Sequence, residues 1–212
     1  MPVDLAALVD PGHTAVLTME MQRAVCGDLA ALPHLREAVT ARGTTGALVA
    51  LLDAARPAGV RVVHCTVAYR ADRAGTPTNT PLFAALARSD PQNMTEGSPG
   101  ADLLPDLGPA PTDLVESRRH GISPFGGTSL DSALRGVGVT TVVATGVSLN
   151  LGIFGMVVEA VNLGYRVVVP ADAVVGVPPE YGDTILANSI GLLATVSSVP
   201  ALVAVWRSRA AG

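Results

Sequence analysis

The sequence predicts an α/β fold in which helices cover both faces of a doubly wound, mainly parallel sheet. The clearest indication is a β-α-β unit within residues 140–174, where the run 141–145 ends at Gly146, an apolar helix follows, and a second run begins at Tyr165. Both runs are apolar on both faces, as expected for parallel strands covered on both sides. The rest of the chain also alternates strand and helix patterns, which favours the same fold.

The first half of the chain contains two predicted strands with a helix between them. Residues 13–19 and 60–65 are the strands, because each is a short, mostly apolar run. Residues 23–33 are interpreted as a loop or partial turn. Residues 35–58 have helical periodicity, and Gly43 in the middle of this stretch makes a break in the helix possible.

The second half begins with a long segment, residues 69–108, that is rich in Pro, Asp, Asn and Gly and contains one short predicted helix, residues 81–88. Long excursions of this kind often line binding sites, and Arg70 and Arg73 in it are candidate contacts for a carboxylate. The remaining predicted elements are a third strand (112–116), a helix (129–137), the β-α-β unit, a helix (180–193), a short strand (195–198) and a terminal helix through Trp206.

Composition limits the classes of protein to consider. The chain has 212 residues without repeats or a linker, so we expect one domain spanning residues 1–212. Only 15% of the residues are charged, against about 25% in an ordinary soluble domain, which favours a homo-oligomer that covers part of the surface. The net charge of −4 argues against nucleic acid or an anionic membrane as a partner and leaves a small-molecule substrate.

The cysteines indicate a reducing compartment. Cys26 and Cys65 are the two cysteines of the chain, and they form neither a disulfide framework nor a CxxC metal pair. No secretory leader is recognisable, and Gly, Asn, Arg or Pro interrupts every apolar run before it reaches the roughly 18 residues that a membrane span needs. We therefore expect a cytoplasmic protein without a membrane segment.

Polar side chains follow several of the predicted strands at their carboxyl ends. Because parallel strands end at the same edge of a sheet, these side chains should gather along one rim, where an acid, a cation and a helix start suit proton transfer and anion stabilisation. Each of them, taken alone, could instead cap a helix or fix a loop. The residues are Glu20, Gln22, His64, Thr66, Arg118, Arg119, His120, Ser148, Asn150 and Asp172.

Three segments carry a resemblance to a known family. They are LTMEMQ (17–22), RRHGISPFGGTSLDSALRGVGVTTVVATGV (118–147) and SLNLGIFGMVVEAVNLGYRVVVPADA (148–173). From residue 17 to about residue 198 the chain resembles the isochorismatase-like hydrolases, also called the cysteine hydrolase family. The resemblance implies a six-stranded parallel sheet with helices on each side and, commonly, a cis peptide before the helix of the third segment, here Val147–Ser148. It also implies that the homo-oligomer is a dimer or tetramer.

The resemblance also identifies three site positions, and all three are substituted. Amidase-type members use an Asp on the first strand, a Lys after the third and a Cys at the helix turn. Here these positions hold Glu20, Arg118 or Arg119, and Gly152. Counting back from Phe125 favours Arg119 for the Lys position, although one extra residue in the intervening loop would shift the assignment to Arg118.

Gly152 has no thiol, so a covalent thioester at this turn is excluded. True isochorismatases are similar in having Gly here, and they hydrolyse a vinyl ether after an acid protonates the alkene. The resemblance therefore implies a cysteine-independent hydrolase of a small anionic or cyclic metabolite, with Glu20 as general acid/base and Arg119 as anion clamp. The expected substrate contacts around them are Gln22, His64, Arg118, His120, Phe125, Ser148 and Asn150.

No cofactor is expected, and no metal ion. Metal-dependent nicotinamidases of this family carry an Asp-x-His-x-His cluster after the second strand, and the matching residues 66–76 contain Asp72 but no His.

Two alternatives to this hydrolase stay open. The chain could be an inactive relative that binds a small molecule or serves in an assembly, with Glu20 and Arg119 as an internal ion pair kept for packing. It could also be an amidase whose nucleophile is Cys26 or Cys65 instead of a residue at the helix turn.

Overall fold

A computed structural model describes residues 3–89 and 93–210 of the chain. The predicted domain range also includes residues 1–2, 90–92 and 211–212, which lie outside the described residues. The described residues form one sheet of seven strands, in which all the strand pairs are parallel. The strands are β1 (Thr14–Met19), β2 (Arg61–Val67), β3 (Leu114–Arg118), β4 (Thr141–Val147), β5 (Arg166–Pro170), β6 (Val174–Val175) and β7 (Thr195–Ser197).

The strand order confirms the predicted doubly wound fold. Six strands lie in the order β3-β2-β1-β4-β5-β7, and the two-residue strand β6 pairs with the end of β4 as an addition to the expected six. The winding direction reverses between β1 and β4, which are neighbours in the sheet. A crevice for ligands forms outside the carboxyl ends of strands at such a reversal. Glu20 follows β1 and Ser148 follows β4, so both residues lie at this crevice.

Helices lie between the strands in sequence. A π-helical segment, Leu149–Ile153, leads directly into α7, and a second one, Leu186–Ile190, joins α8 to α9. The helices are α1 (Leu5–Leu8), α2 (Arg23–Cys26), α3 (Pro33–Arg42), α4 (Thr44–Ala55), α5 (Pro81–Ser89), α6 (Leu130–Gly136), α7 (Phe154–Asn162), α8 (Pro179–Ile185), α9 (Gly191–Leu193) and α10 (Val199–Ala210).

Alternate strand residues pack into two separate apolar layers. Val16, Val62 and Val143 lie in one layer, together with the buried faces of α4 and α10. Their sequence neighbours Leu17 and Val63 point to the opposite face, where they pack with α6 and α7. Because successive side chains of a strand point to opposite faces, strands that are apolar at every position are buried on both sides, as the sequence predicted.

Most of the predicted elements are present. The segment 23–33, which was predicted as a loop or partial turn, contains a single helical turn, α2. The long predicted helix is broken where the break was considered possible: Gly43 has φ 65° and its N–H donates to Thr40 and Val39 at the end of α3. The third strand begins two residues later than predicted, at Leu114 instead of residue 112.

A buried polar network explains the later start of β3. His64 on β2 is fully buried, with Nδ1 2.8 Å from the Thr18 hydroxyl and Nε2 3.2 Å from Asp113 Oδ2. Arg56 donates from Nη2 to the same carboxylate oxygen at 2.8 Å. Asp113 is therefore an anchor just before the strand instead of one of its paired residues.

The network has consequences for two pKa values. Burial lowers the pKa of His64 below its ordinary 6.5, although the hydrogen bond with Asp113 acts against this. Burial acts to raise the pKa of Asp113, but the hydrogen bonds from Arg56, the Ala110 N–H and His64 outweigh burial, so this pKa lies below its ordinary 3.8.

We expect the free energy of unfolding to fall as the pH falls below about 6.5. The unfolded chain takes up a proton at His64 near its ordinary pKa, whereas the folded protein takes it up at a lower pH, so acid favours unfolding at up to about 1.4 kcal/mol per pH unit. Asp113 adds a second loss below pH 3.8, because its carboxylate form is stabilised by folding. Urea unfolding of the wild type and of His64→Gln between pH 7 and 5 measures the first effect.

His64→Gln should give a flatter dependence on pH than the wild type, whatever its stability at pH 7. His34 is exposed, so His34→Gln is the matched control and should keep the wild-type slope. Equal slopes for the wild type and His64→Gln would contradict this assignment.

Candidate active site

Glu20 is held in an unusual backbone conformation at the end of β1. Its φ is 51°, in the left-handed region that residues other than glycine rarely adopt. Its N–H donates to the Cys65 carbonyl of β2 at 2.8 Å, which fixes this conformation. Strained backbone of this kind costs about 1–3 kcal/mol and is concentrated at functional sites.

Arg118, the last residue of β3, holds the carboxylate of Glu20. Its Nη2 donates to Glu20 Oε1, its Nε to the Gly121 carbonyl at 3.2 Å, and its Nη1 to the Thr66 carbonyl at 3.4 Å. Only 5% of Arg118 is exposed. All three guanidinium nitrogens are thus engaged by the protein, so Arg118 orients and neutralises Glu20.

Arg119 does not face Glu20, so the expectation that Arg119, and not Arg118, lies opposite Glu20 is wrong. Its Nε donates to Glu96 at 2.7 Å, and 53% of its side chain is exposed. Arg118 and Arg119 point in opposite directions because they follow each other at the end of a strand. Gly121 in the loop that follows has φ 76°, a conformation that suits glycine.

Glu20 and Arg118 open onto a cavity of about 340 Å³ at the carboxyl ends of the strands. Ser148, Asn150 and Gly152 from the turn after β4 line the same cavity, so these five predicted residues are brought together. Most of the remaining wall comes from α3, α5 and the long segment after β2. Its larger apolar residues are Leu32, Leu35, Leu82, Phe83, Met94 and Leu151.

The turn after β4 combines a tight backbone with few free polar side-chain atoms. The Val147–Ser148 peptide is cis, as the resemblance implied. The amide of Asn150 is within 3.3 Å of both the Val177 N–H and the Val177 carbonyl, so it fixes a neighbouring loop. A Cβ added to Gly152 would lie 3.1 Å from Met19 Cε and from the Val147 carbonyl oxygen. Gly152 therefore lets the turn approach β1 closely and offers no nucleophile.

Gln22 is placed outside the cavity, which corrects its assignment as a substrate contact. Its side-chain amide donates to the carbonyls of Val67 and Ala101 at 3.0 and 2.7 Å and accepts from the Val67 N–H at 2.8 Å. Gln22 thus ties the end of β1 to β2 and to the loop before β3.

Three further residues that were expected to contact the substrate also lie outside the cavity, which corrects that expectation. His64 belongs to the buried network with Asp113. Phe125 is buried in the core, with its ring centroid 5.8 Å from that of Tyr165. His120 is exposed, and its ring packs over Gly127, away from the cavity.

Both cysteines are buried thiols that do not line the cavity. Burial raises the pKa of Cys26 and of Cys65 to about 12 each, and the charge of Glu20 contributes to the shift of Cys26. Because the thiolate is the nucleophilic form, neither side chain is activated at neutral pH.

Some of the wall was not predicted to be functional. Tyr69 lines the cavity, and its pKa is raised by burial and then by the charge of Glu20. Leu82 and Phe83 lie on the short helix of the long segment, α5. The length of residues 69–108 indicated that this segment could line a site. No sequence motif identified which of its apolar residues would do so.

Within residues 3–89 and 93–210 no three His, Cys, Asp or Glu side chains are grouped so that they could hold a metal ion. In the same residues, no helix is long and apolar enough to cross a membrane.

Comparisons with known proteins agree with this architecture. The chain is 30% identical over 187 residues to the ureidoacrylate amidohydrolase RutB of Rhizobium rhizogenes, which covers 81% of this chain and 74% of the relative. It is 33% identical over 129 residues to the maleamate amidohydrolase of Pseudomonas putida, covering 58% of this chain and 56% of that protein. The crystal structure of a cysteine hydrolase from Pseudomonas syringae pv. phaseolicola has a TM-score of 0.78 at 20% identity, covering 95% of this chain and 96% of the other.

The family model of the isochorismatase domain matches residues 14–201, which includes all seven strands and the whole cavity rim from Glu20 to Gly152. The chain therefore belongs to the isochorismatase family of hydrolases.

Proposed function

We propose that this family member hydrolyses a small anionic or cyclic metabolite without a cysteine nucleophile, using Glu20 as general acid/base and Arg118 to orient it. The observation that carries the proposal is the position of the Glu20 carboxyl group. It lies on an open cavity together with Gly152, and the cavity lining contains no thiol among the described residues. If the ion pair were kept only for packing, we would expect neighbouring side chains to fill this space.

The ion pair with Arg118 engages one carboxylate oxygen of Glu20 and leaves the other oxygen available for proton transfer. Glu20 Oε1 accepts from Arg118, whereas Oε2 has no hydrogen bond to the described part of the protein. A water molecule at Oε2 would lie beside the position that a thiol occupies in cysteine hydrolases. Glu20 can take a proton from that water as it attacks and return the proton to the leaving group, a role worth about 100-fold to 10,000-fold in rate.

The helical stretch that contains Gly152 supplies a partial positive charge to the site. The π-helical segment and α7 form one continuous helical stretch from residue 149 to residue 162, and it starts at the cavity wall. The start of a helix favours negative charge. An oxyanion that develops on the substrate next to Gly152 would be stabilised there.

The names of two relatives suggest the first substrates to test. One is a ureidoacrylate amidohydrolase and the other a maleamate amidohydrolase, and both names refer to a small unsaturated carboxylate. We include isochorismate because the family takes its name from that vinyl ether.

Homo-oligomerisation and a cytoplasmic location stay predictions. An oligomer is favoured by the apolar residues Leu114 and Val115 of β3, which are 47% and 59% exposed at the edge of the sheet.

Glu20→Gln should lower kcat by about 100-fold or more on whichever of ureidoacrylate, maleamate and isochorismate the wild type turns over, because the amide cannot transfer the proton. Glu20→Asp keeps the charge opposite Arg118 and should retain part of the activity. Steady-state kinetics, together with a thermal melt of each variant to establish that it is folded, provide the measurement. A folded Glu20→Gln with wild-type kcat would contradict the proposal. No turnover of any of the three by the wild type would favour the small-molecule-binding alternative.

The wild-type protein should keep its activity after treatment with iodoacetamide at pH 8, because the thiols of Cys26 and Cys65 are buried and have pKa values of about 12. Intact mass before and after treatment, beside the residual rate, gives the measurement, and a Cys26→Ser Cys65→Ala double variant with wild-type kcat is the companion result. Inactivation that substrate prevents would support the cysteine-dependent amidase instead.

A further inference from the structure

Arg73 lines the same cavity from the long segment after β2, and its guanidinium has an unused donor. Its Cζ lies 4.9 Å from the centroid of the Tyr69 ring, a cation–π contact. Its Nε is buried and has no hydrogen-bond partner among the described residues. A buried donor without a partner is costly, so a group that accepts from Arg73 would remove this cost.

The charges on the cavity wall do not balance. Glu20 and Arg118 neutralise each other, and each nitrogen of Arg118 is already engaged. Arg73 is the other arginine of the cavity lining, and within the described residues it has no ion pair with a carboxylate. Its neighbour Arg70, which lies outside the lining, is paired with Asp72. Among the described lining residues, the positive charge of Arg73, on the loop side of the cavity, therefore has no carboxylate partner.

The Tyr69–Arg73 pair is held in place by the backbone. The Tyr69 N–H donates to the Met94 carbonyl at 2.8 Å, and the Tyr69 carbonyl accepts from the Glu96 N–H at 2.8 Å. Arg73 has φ 58°, a second non-glycine residue in the left-handed region, and its carbonyl accepts from the Thr76 N–H at 3.0 Å. The guanidinium thus lies on a ring whose position is fixed from both sides.

We propose that Arg73 binds the carboxylate of the substrate, and that the substrate is an amphipathic carboxylate whose hydrocarbon part lies against Leu35, Leu82 and Phe83. This inference rests on the proposed hydrolase function and adds its substrate class. A planar guanidinium suits a carboxylate because it can donate two parallel hydrogen bonds. The apolar wall stabilises the hydrocarbon part by removing it from water.

The arrangement separates recognition from chemistry. A carboxylate at Arg73 leaves the rest of the molecule in the cavity that Glu20 and Gly152 also line. Tyr69 lies in the same lining, with its ring centroid 4.9 Å from Arg73 Cζ. The hydrolysable bond therefore lies away from the carboxylate, at the other end of the apolar part.

Calorimetric binding of two matched probe pairs tests the proposal: hexanoate against hexanamide, and 4-phenylbutyrate against 4-phenylbutanamide. The wild type should bind each carboxylate about tenfold more tightly than its amide, as expected when a charged hydrogen-bonded pair is lost. Arg73→Gln should bind each carboxylate no more tightly than its amide. Arg70→Gln is the matched control, because Arg70 is half-exposed and paired with Asp72, and it should keep the wild-type preference.

Glu20→Gln separates this proposal from the hydrolase mechanism. A folded Glu20→Gln should keep the carboxylate preference while losing turnover, whereas Arg73→Gln should raise KM for an anionic substrate and leave kcat nearly unchanged. Equal binding of carboxylate and amide by the wild type, no binding of any probe, or a preference that survives in Arg73→Gln would overturn the assignment of Arg73. None of these results would affect the role of Glu20.

Discussion

The buried ion pair between Glu20 and Arg118 is the contact on which the site depends. It joins residues at the ends of β1 and β3. Strand β2, which lies between these two strands in the sheet, contributes the Thr66 carbonyl that accepts from Arg118. A buried pair of this kind contributes little net stability, but the loss of one partner leaves an uncompensated charge and is strongly destabilising. The sheet edge and the acid/base residue are therefore coupled, because a change in either one alters the environment of the other.

The fold followed from the sequence because its signals are repetitive. Uninterrupted apolar strands, regular alternation with helices and the glycine turns at Gly43 and Gly146 all point to one doubly wound sheet. The site was harder to predict, because strand ends define only a rim. Which of two adjacent arginines points inward depends on the register of β3 against β2, and Asp113 anchors the start of β3 through contacts with Arg56 and His64 that lie far from it in sequence.

The residues that were wrongly expected to contact substrate have a common feature. Gln22 and Phe125 lie on loops that follow strands and His64 lies within β2, yet each is used to fix neighbouring segments or to fill the core. Polar character near the end of a strand thus does not distinguish a substrate contact from a structural contact, since both need hydrogen bonds. The structure makes the distinction by giving the partner of each donor and acceptor, and within the described residues Glu20 Oε2 and Arg73 Nε are among the cavity atoms without one.

The edge position of β3 has a consequence for motion. This strand pairs only with β2 in the described sheet, so its backbone has one set of ladder hydrogen bonds, and edge elements of this kind open more readily than central strands. Charged contacts hold it at both ends, Asp113 just before its start and Arg118 at its finish. Local fraying of β3 would release Arg118 and with it the orientation of Glu20 while the central strands stay folded. The heat tolerance of the site is therefore set by an edge strand and not by the central strands of the sheet.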